Sequence, residues 1–239
     1  MGYNPPIRET ETAKIFVHNN ASIAPDNAFI VAPKSEEDTT SFLENAKVSE
    51  VRDVFNAVAS LKNGNEEKFI LFHAIRPGDE VQHTNSKLPH MHIHVYTGDF
   101  SAEYSQVSDP AVKSYAVKPN ADLASVIKRK TKPDQDFQKI KLNKNNGGEA
   151  ENHEVLVCRK FKNFDDFVKK ATEADFEAFR EHMLDIIRPN TQLGQGGVRI
   201  VIDDRNLKTG VFVSQFLSGE NLDRSGQKSQ RYFEKPKLK

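Results

Sequence analysis

The stretch His90-Met91-His92-Ile93-His94-Val95-Tyr96 constrains this chain more than any other. Histidines alternating with apolar residues suit a strand, whose successive side chains project to opposite faces. In that geometry His90, His92 and His94 share one face, while Met91, Ile93 and Val95 enter the packing behind. The whole chain has eight histidines, so three on one strand face are a concentration. Three imidazoles side by side make a poor core and a good site.

Two chemistries suit such a face. Neutral imidazoles bind metals, most often zinc, with three protein ligands and an open position. His90, His92 and His94 would then be the ligands of a metal-dependent hydrolase, with His73 as a further donor. Alternatively, a central imidazole attacks an electrophile while its neighbours orient it and protonate the leaving group. A third possibility is a binding module without turnover.

Composition narrows the rest. Lys plus Arg and Asp plus Glu number 34 each, so no net field draws nucleic acid or a membrane surface. At 239 residues the chain can bury a core as one large domain or two small ones. A mean hydropathy of −0.64 suits a soluble protein. No run approaches the ~20 apolar residues of a membrane span, and Met1-Gly2-Tyr3-Asn4-Pro5-Pro6 lacks the pattern of a signal peptide, so the expected location is cytoplasmic. The sole cysteine, Cys158, ends the run Val155-Leu156-Val157 and reads as a buried structural thiol in a reducing compartment. Gly194-Gln195-Gly196-Gly197 reads as a turn before a strand, not a phosphate cradle.

The second half of the chain echoes the first. Lys14 to Asn20 is answered by Lys139 to Asn146, and the apolar run Phe29 to Ala32 by Val155 to Cys158. Each half then has a helix-period segment: Val48, Val51, Val54, Phe55 and Val58 in one, Phe176, Phe179, Met183 and Ile186 in the other. Strands follow at Phe69 to Phe72 and Val198 to Ile202. His90 to Gly98 aligns without gaps to Val211 to Gly219, so the three histidine positions become Val211, Val213 and Gln215.

The pattern H-φ-H-φ-H-φ-φ, with φ apolar, resembles the signature of the histidine triad superfamily of nucleotide hydrolases and transferases. Phe29-Ile30-Val31-Ala32-Pro33-Lys34 is similar to that family's hydrophobic strand ending in Pro-Lys, and the upstream order of elements agrees; the resemblance covers roughly residues 12 to 100. It implies an α+β fold of two such units, each an antiparallel sheet with a packed helix, joined as an intramolecular pseudo-dimer as in the hexose-1-phosphate uridylyltransferase branch. The expected layout is a catalytic unit over 1–100, a polar linker over 101–138, a degenerate unit over 139–222 and a polar tail over 223–239.

The resemblance also assigns roles. His92 matches the histidine that attacks the α-phosphate and forms a nucleotidyl-imidazole intermediate. Backbone carbonyls near His90 would fix the tautomer, and His94 would donate to the leaving group or a phosphate oxygen. The transferring branch often has Gln where His94 stands, which favours hydrolysis. Asn20 matches the residue that holds the ribose hydroxyls. Other positions depart from the pattern: Ala28 replaces an orienting histidine, His73 an asparagine, Ser86 a glutamine, and Lys87 a serine or threonine. The long loop offers Arg76, His83 and Lys87 as phosphate-facing cations. The implied partner is a nucleotide or nucleotide conjugate, with neither metal nor cofactor, neither membrane nor bulk nucleic acid. Internal pairing would suffice for a monomer.

Overall fold

Short runs rich in Val, Ile and Phe form strands, because branched and aromatic side chains pack well on a pleated surface. The computed structural model describes residues 5–17, 28–35, 37–61, 68–75, 91–97, 121–142, 152–190, 198–203 and 210–218. Its strands are β1 (Arg8–Glu9), β2 (Ala13–Val17), β3 (Ala28–Pro33), β4 (Lys68–Ile75), β5 (Ile93–Thr97), β6 (Phe137–Leu142), β7 (Asn152–Cys158), β8 (Val198–Asp203) and β9 (Phe212–Ser218). They make one sheet in the order β1-β2-β3-β5-β4-β8-β9-β7-β6. Every neighbouring pair is antiparallel. Read inward from each side, β2-β3-β5-β4 meets β6-β7-β9-β8. The seam is β4 against β8, with Ile70 opposite Ile202 and Phe72 opposite Ile200.

One face of the sheet is covered by α1 (Thr39–Asn45), α2 (Val48–Ala59), α4 (Phe164–Lys170) and α5 (Glu173–Asn190); α3 (Ala121–Lys130) belongs to the other. The fold is α+β. Each start signal is local. The Ser41 N–H donates to Asp38 Oδ1 (2.9 Å) at the head of α1. The Lys47 N–H donates to Glu50 Oε2 (2.7 Å) at α2, and the Asp166 N–H to Asn163 Oδ1 (2.8 Å) at α4. Thr172 and Asp175 cap each other's N–H groups at α5.

The helix-period segments fold as expected, with one adjustment. In α2, Val51, Val54, Phe55 and Val58 are buried. In α5, Phe176, Phe179 and Met183 are buried, but Ile187 completes that face and Ile186 lies half-buried beside it. The period of 3.6 carries the buried stripe to the later position.

The two halves share one core. Phe55 of α2 stands with its ring centroid 6.0 Å from Phe72, 5.7 Å from Phe164, and 6.0 Å from both Phe176 and Phe179. Around this cluster, the Arg180 guanidinium donates to the Ala46 carbonyl (2.7 Å) and buried Lys68 pairs with Asp165 (2.6 Å). Arg52 donates to the Ala171 carbonyl, its guanidinium 4.6 Å from the centre of the Phe176 ring. Cys158 is buried here, and desolvation, reinforced by Asp175, pushes its thiol well above the usual range. The thiol is structural, in agreement with its apolar context.

α3 falls inside the span expected to be a polar linker. Its exposed side carries Lys128, Arg129 and Lys130, while Val126 and Ile127 are buried against Ile140, Leu142, Val155, Val157 and Val213. Val126 and Ile127, set among charges, dock a short helix on an apolar face without colouring the composition of the span. Among the described residues, no helix is long and apolar enough to cross a membrane.

Candidate functional site

β5 lies in the interior of the sheet, hydrogen-bonded to β3 and β4, with His94 opposite Ile30 on one side and Leu71 on the other. Ahead of the strand, the Met91 N–H donates to the Glu37 carbonyl (2.7 Å), tying the chain to the connection between β3 and α1. Both neighbours hold the backbone of this segment in place.

Side chains divide as the alternation requires. Met91, Ile93 and Val95 are buried in the large core. On the opposite face, the His92 and His94 rings lie with centroids 5.1 Å apart, inclined by 63°. His92 is only 4% exposed and His94 5%, so both imidazoles are largely withdrawn from water. An imidazole can act as nucleophile, proton donor or proton acceptor, and a close pair can divide those tasks.

Tyr96 continues the same face. Its ring is nearly parallel to that of His94 (13°, centroids 6.2 Å apart), and its Oη lies 3.4 Å from His94 Nδ1. In the motif pattern Tyr96 counts only as an apolar member. The signal that it belongs to the site was the alternation itself, which carries the histidine face two residues beyond His94.

His90, Asn20, Ser86 and Lys87, like Arg76 and His83, lie outside the described residues. His73 belongs to β4 one residue beyond the pairing of Phe72 with Ile93, just as His92 precedes Ile93, but its side chain also lies outside. Among the described residues, no three His, Cys, Asp or Glu side chains gather as a metal centre.

The corresponding face of the second half is built differently. Val213 and Gln215, aligned with His92 and His94, are buried on β9. α3 covers this region, placing Val126 and Ile127 against Val213, Val155 and Val157. On β7, burial lowers the pKa of His153 to about 4 against an opposing influence of Gln215, which leaves a neutral imidazole at pH 7.

The arrangement has counterparts among solved structures. A structure of uridylyltransferase matches 90% of this chain and 75% of its own length, with a TM-score of 0.53 at 10% identity. A uridylyltransferase mutant matches 91% and 79%, with a TM-score of 0.54, again at 10% identity. Yeast Ap4A phosphorylase aligns over 89% of this chain and 57% of its own, at 11% identity and a TM-score of 0.43. No family model matches the chain, and no curated protein matches it significantly in sequence. At such identity the likeness to uridylyltransferase is one of α+β fold alone.

Proposed function

We propose that this protein cleaves a nucleotide or nucleotide conjugate at its α-phosphate, with His92 as the nucleophile. The observation that carries the reading is the His92–His94 pair, 5.1 Å apart on an interior strand of a fold shared with uridylyltransferase. In the first step a ring nitrogen of His92 forms a bond to phosphorus. The bond from phosphorus to the leaving-group oxygen breaks, and that oxygen leaves with the electron pair, stabilised by a hydrogen bond from His94 and then protonated from solvent. In the second step water attacks phosphorus, the P–N bond breaks with its electron pair returning to His92, and the proton lost by the water passes to solvent. Hydrolysis is the preferred outcome, because a histidine stands at the third motif position. His90 and Asn20 keep their proposed roles in orienting His92 and holding the ribose; His73, Ser86 and Lys87 are proposed to line the substrate side.

The same reading treats the chain as two histidine-triad-like units paired within one molecule, one catalytic and one degenerate. The meeting of β2-β3-β5-β4 with β6-β7-β9-β8 supports it. α3 then lies over the degenerate unit's counterpart of the catalytic face, leaving one site per chain. A monomeric, cytoplasmic enzyme needing no metal fits this arrangement.

The test uses the p-nitrophenyl esters of the four nucleoside 5′-monophosphates. Release of p-nitrophenol should be abolished by His92→Ala while the circular dichroism spectrum stays native. Acid-quenched wild-type protein should carry one nucleotidyl group on His92, seen by mass spectrometry. An active His92→Ala protein, or stoichiometric zinc in protein purified without a histidine tag, would overturn the assignment.

A further inference from the structure

We propose that the Tyr96 hydroxyl donates a hydrogen bond to His94 Nδ1 and thereby holds His94 in the tautomer that carries its proton on Nε2. Tyr96 is then a positioning residue, acting through His94. This rests on the reading of His94 as hydrogen-bond donor to the leaving group.

Geometry supplies the first argument. Tyr96 is fully buried, so its hydroxyl needs partners inside the protein. Its Oη is 3.4 Å from His94 Nδ1, and the two rings are within 13° of parallel. A phenol keeps its proton at neutral pH and donates it readily. With Nδ1 accepting, a neutral imidazole must carry its proton on Nε2, the nitrogen that the proposed reaction uses.

The second half of the chain supplies an independent argument. Across the β3–β5 pair, Tyr96 stands directly opposite Ala28. Across the β7–β9 pair, Leu217 stands directly opposite His153. The gapless alignment of the two strands equates Tyr96 with Leu217 and His94 with Gln215. So each half has one polar and one apolar residue at the same cross-strand pair, but on exchanged strands. In each half the polar member neighbours the third motif position on the same face: Tyr96 two residues beyond His94, and His153 across the strands beside Gln215. A polar neighbour for that position thus occurs in both halves, supplied by different residues. Ala28, where the small side chain stands beside the Tyr96 ring, is the complement of that choice.

The experiment is Tyr96→Phe, which removes only the hydroxyl. In protein labelled with ¹⁵N-histidine, with His94→Gln identifying the signals, wild-type His94 should show a protonated Nε2. Tyr96→Phe should shift population toward the Nδ1–H form. Turnover is compared on phenyl and p-nitrophenyl esters of nucleoside 5′-monophosphates. Phenolate is the poorer leaving group and depends more on the hydrogen bond. Losing one ordinary hydrogen bond corresponds to about three- to tenfold, so kcat on the phenyl esters should fall by that factor, with KM and the p-nitrophenyl rate nearly unchanged. An unchanged tautomer, or equal loss on both esters, overturns the proposal. If neither ester is turned over by wild-type protein, the proposed function fails, and the tautomer shift alone then decides whether Tyr96 orients His94.

Discussion

Replacing Phe55 with Ala should unfold both halves of the protein together. Phe55 belongs to the first half by sequence, yet three of its ring neighbours, Phe164, Phe176 and Phe179, belong to the second. A buried Phe→Ala change costs about 3–5 kcal/mol through lost transfer energy and the cavity left behind. Aromatic pairs add about 0.5–1.5 kcal/mol each, though not additively, so the upper part of that range, about 4–5 kcal/mol, is expected. That is a large share of the 5–15 kcal/mol typical of a native protein. Urea unfolding should be followed by circular dichroism and, in parallel, by reactivity of Cys158, a single buried thiol in the second half. Both transitions should move to lower urea by the same amount with an unchanged slope. A loss below about 1 kcal/mol would refute the packing argument. A dichroism shift that leaves Cys158 protected to the wild-type midpoint would refute the shared core.

Three further outcomes follow from the same contacts. His153 and His182 have pKa values lowered to about 4, in both cases chiefly by burial. The unfolded chain therefore takes up protons near pH 6.5 that the folded chain refuses, and stability is full above that pH and lost as pH falls toward 4. The full shift corresponds to about 3 kcal/mol per histidine; urea midpoints should drop between pH 7 and pH 5, and His153→Gln with His182→Gln should flatten the drop, whereas a flat wild-type profile would contradict it. Lys68 is nearly fully buried against a partly exposed Asp165 and also donates to the Ala59 carbonyl, so Asp165→Ala, which removes the countercharge of a buried ammonium, should cost about 3–5 kcal/mol in urea unfolding and Lys68→Met clearly less; equal losses would argue against the asymmetry. Ile127→Asp should destabilise the protein by placing a carboxylate in the apolar contact of α3, with a midpoint shift of about 2 kcal/mol or more; an unchanged midpoint would mean that α3 contributes nothing.

The alternation around His92 was legible because a period of two is a local property: His92 and His94 share a face and Met91, Ile93 and Val95 pack behind it. The buried stripe of α2 was legible for the same reason. The β4–β8 seam was not, since nothing in Phe69 to Phe72 or Val198 to Ile202 names its partner across more than a hundred residues of chain. α3 escaped notice because Val126 and Ile127 gain their meaning only from the apolar patch on which they land. Tyr96 was misread for a related reason: a tyrosine counts as apolar in a pattern, and only its distance to His94 gives the hydroxyl a role.

The two treatments of the sheet's outer face follow from one physical constraint. An imidazole under a packed apolar helix would lose its water and gain no partner, at a cost of a few kcal/mol for each unmet polar group. Where α3 docks, the aligned positions accordingly carry Val211 and Val213, and β6 and β7 present Ile140, Leu142, Val155 and Val157 beneath it. The polar residue Gln215 pairs with Val155, two residues along β7 from His153 on the same face. Restoring imidazoles with Val213→His would therefore not create a second site. It would place a ring beneath Val126 and Ile127 and weaken the docking of α3, because the cover and the chemistry compete for the same surface.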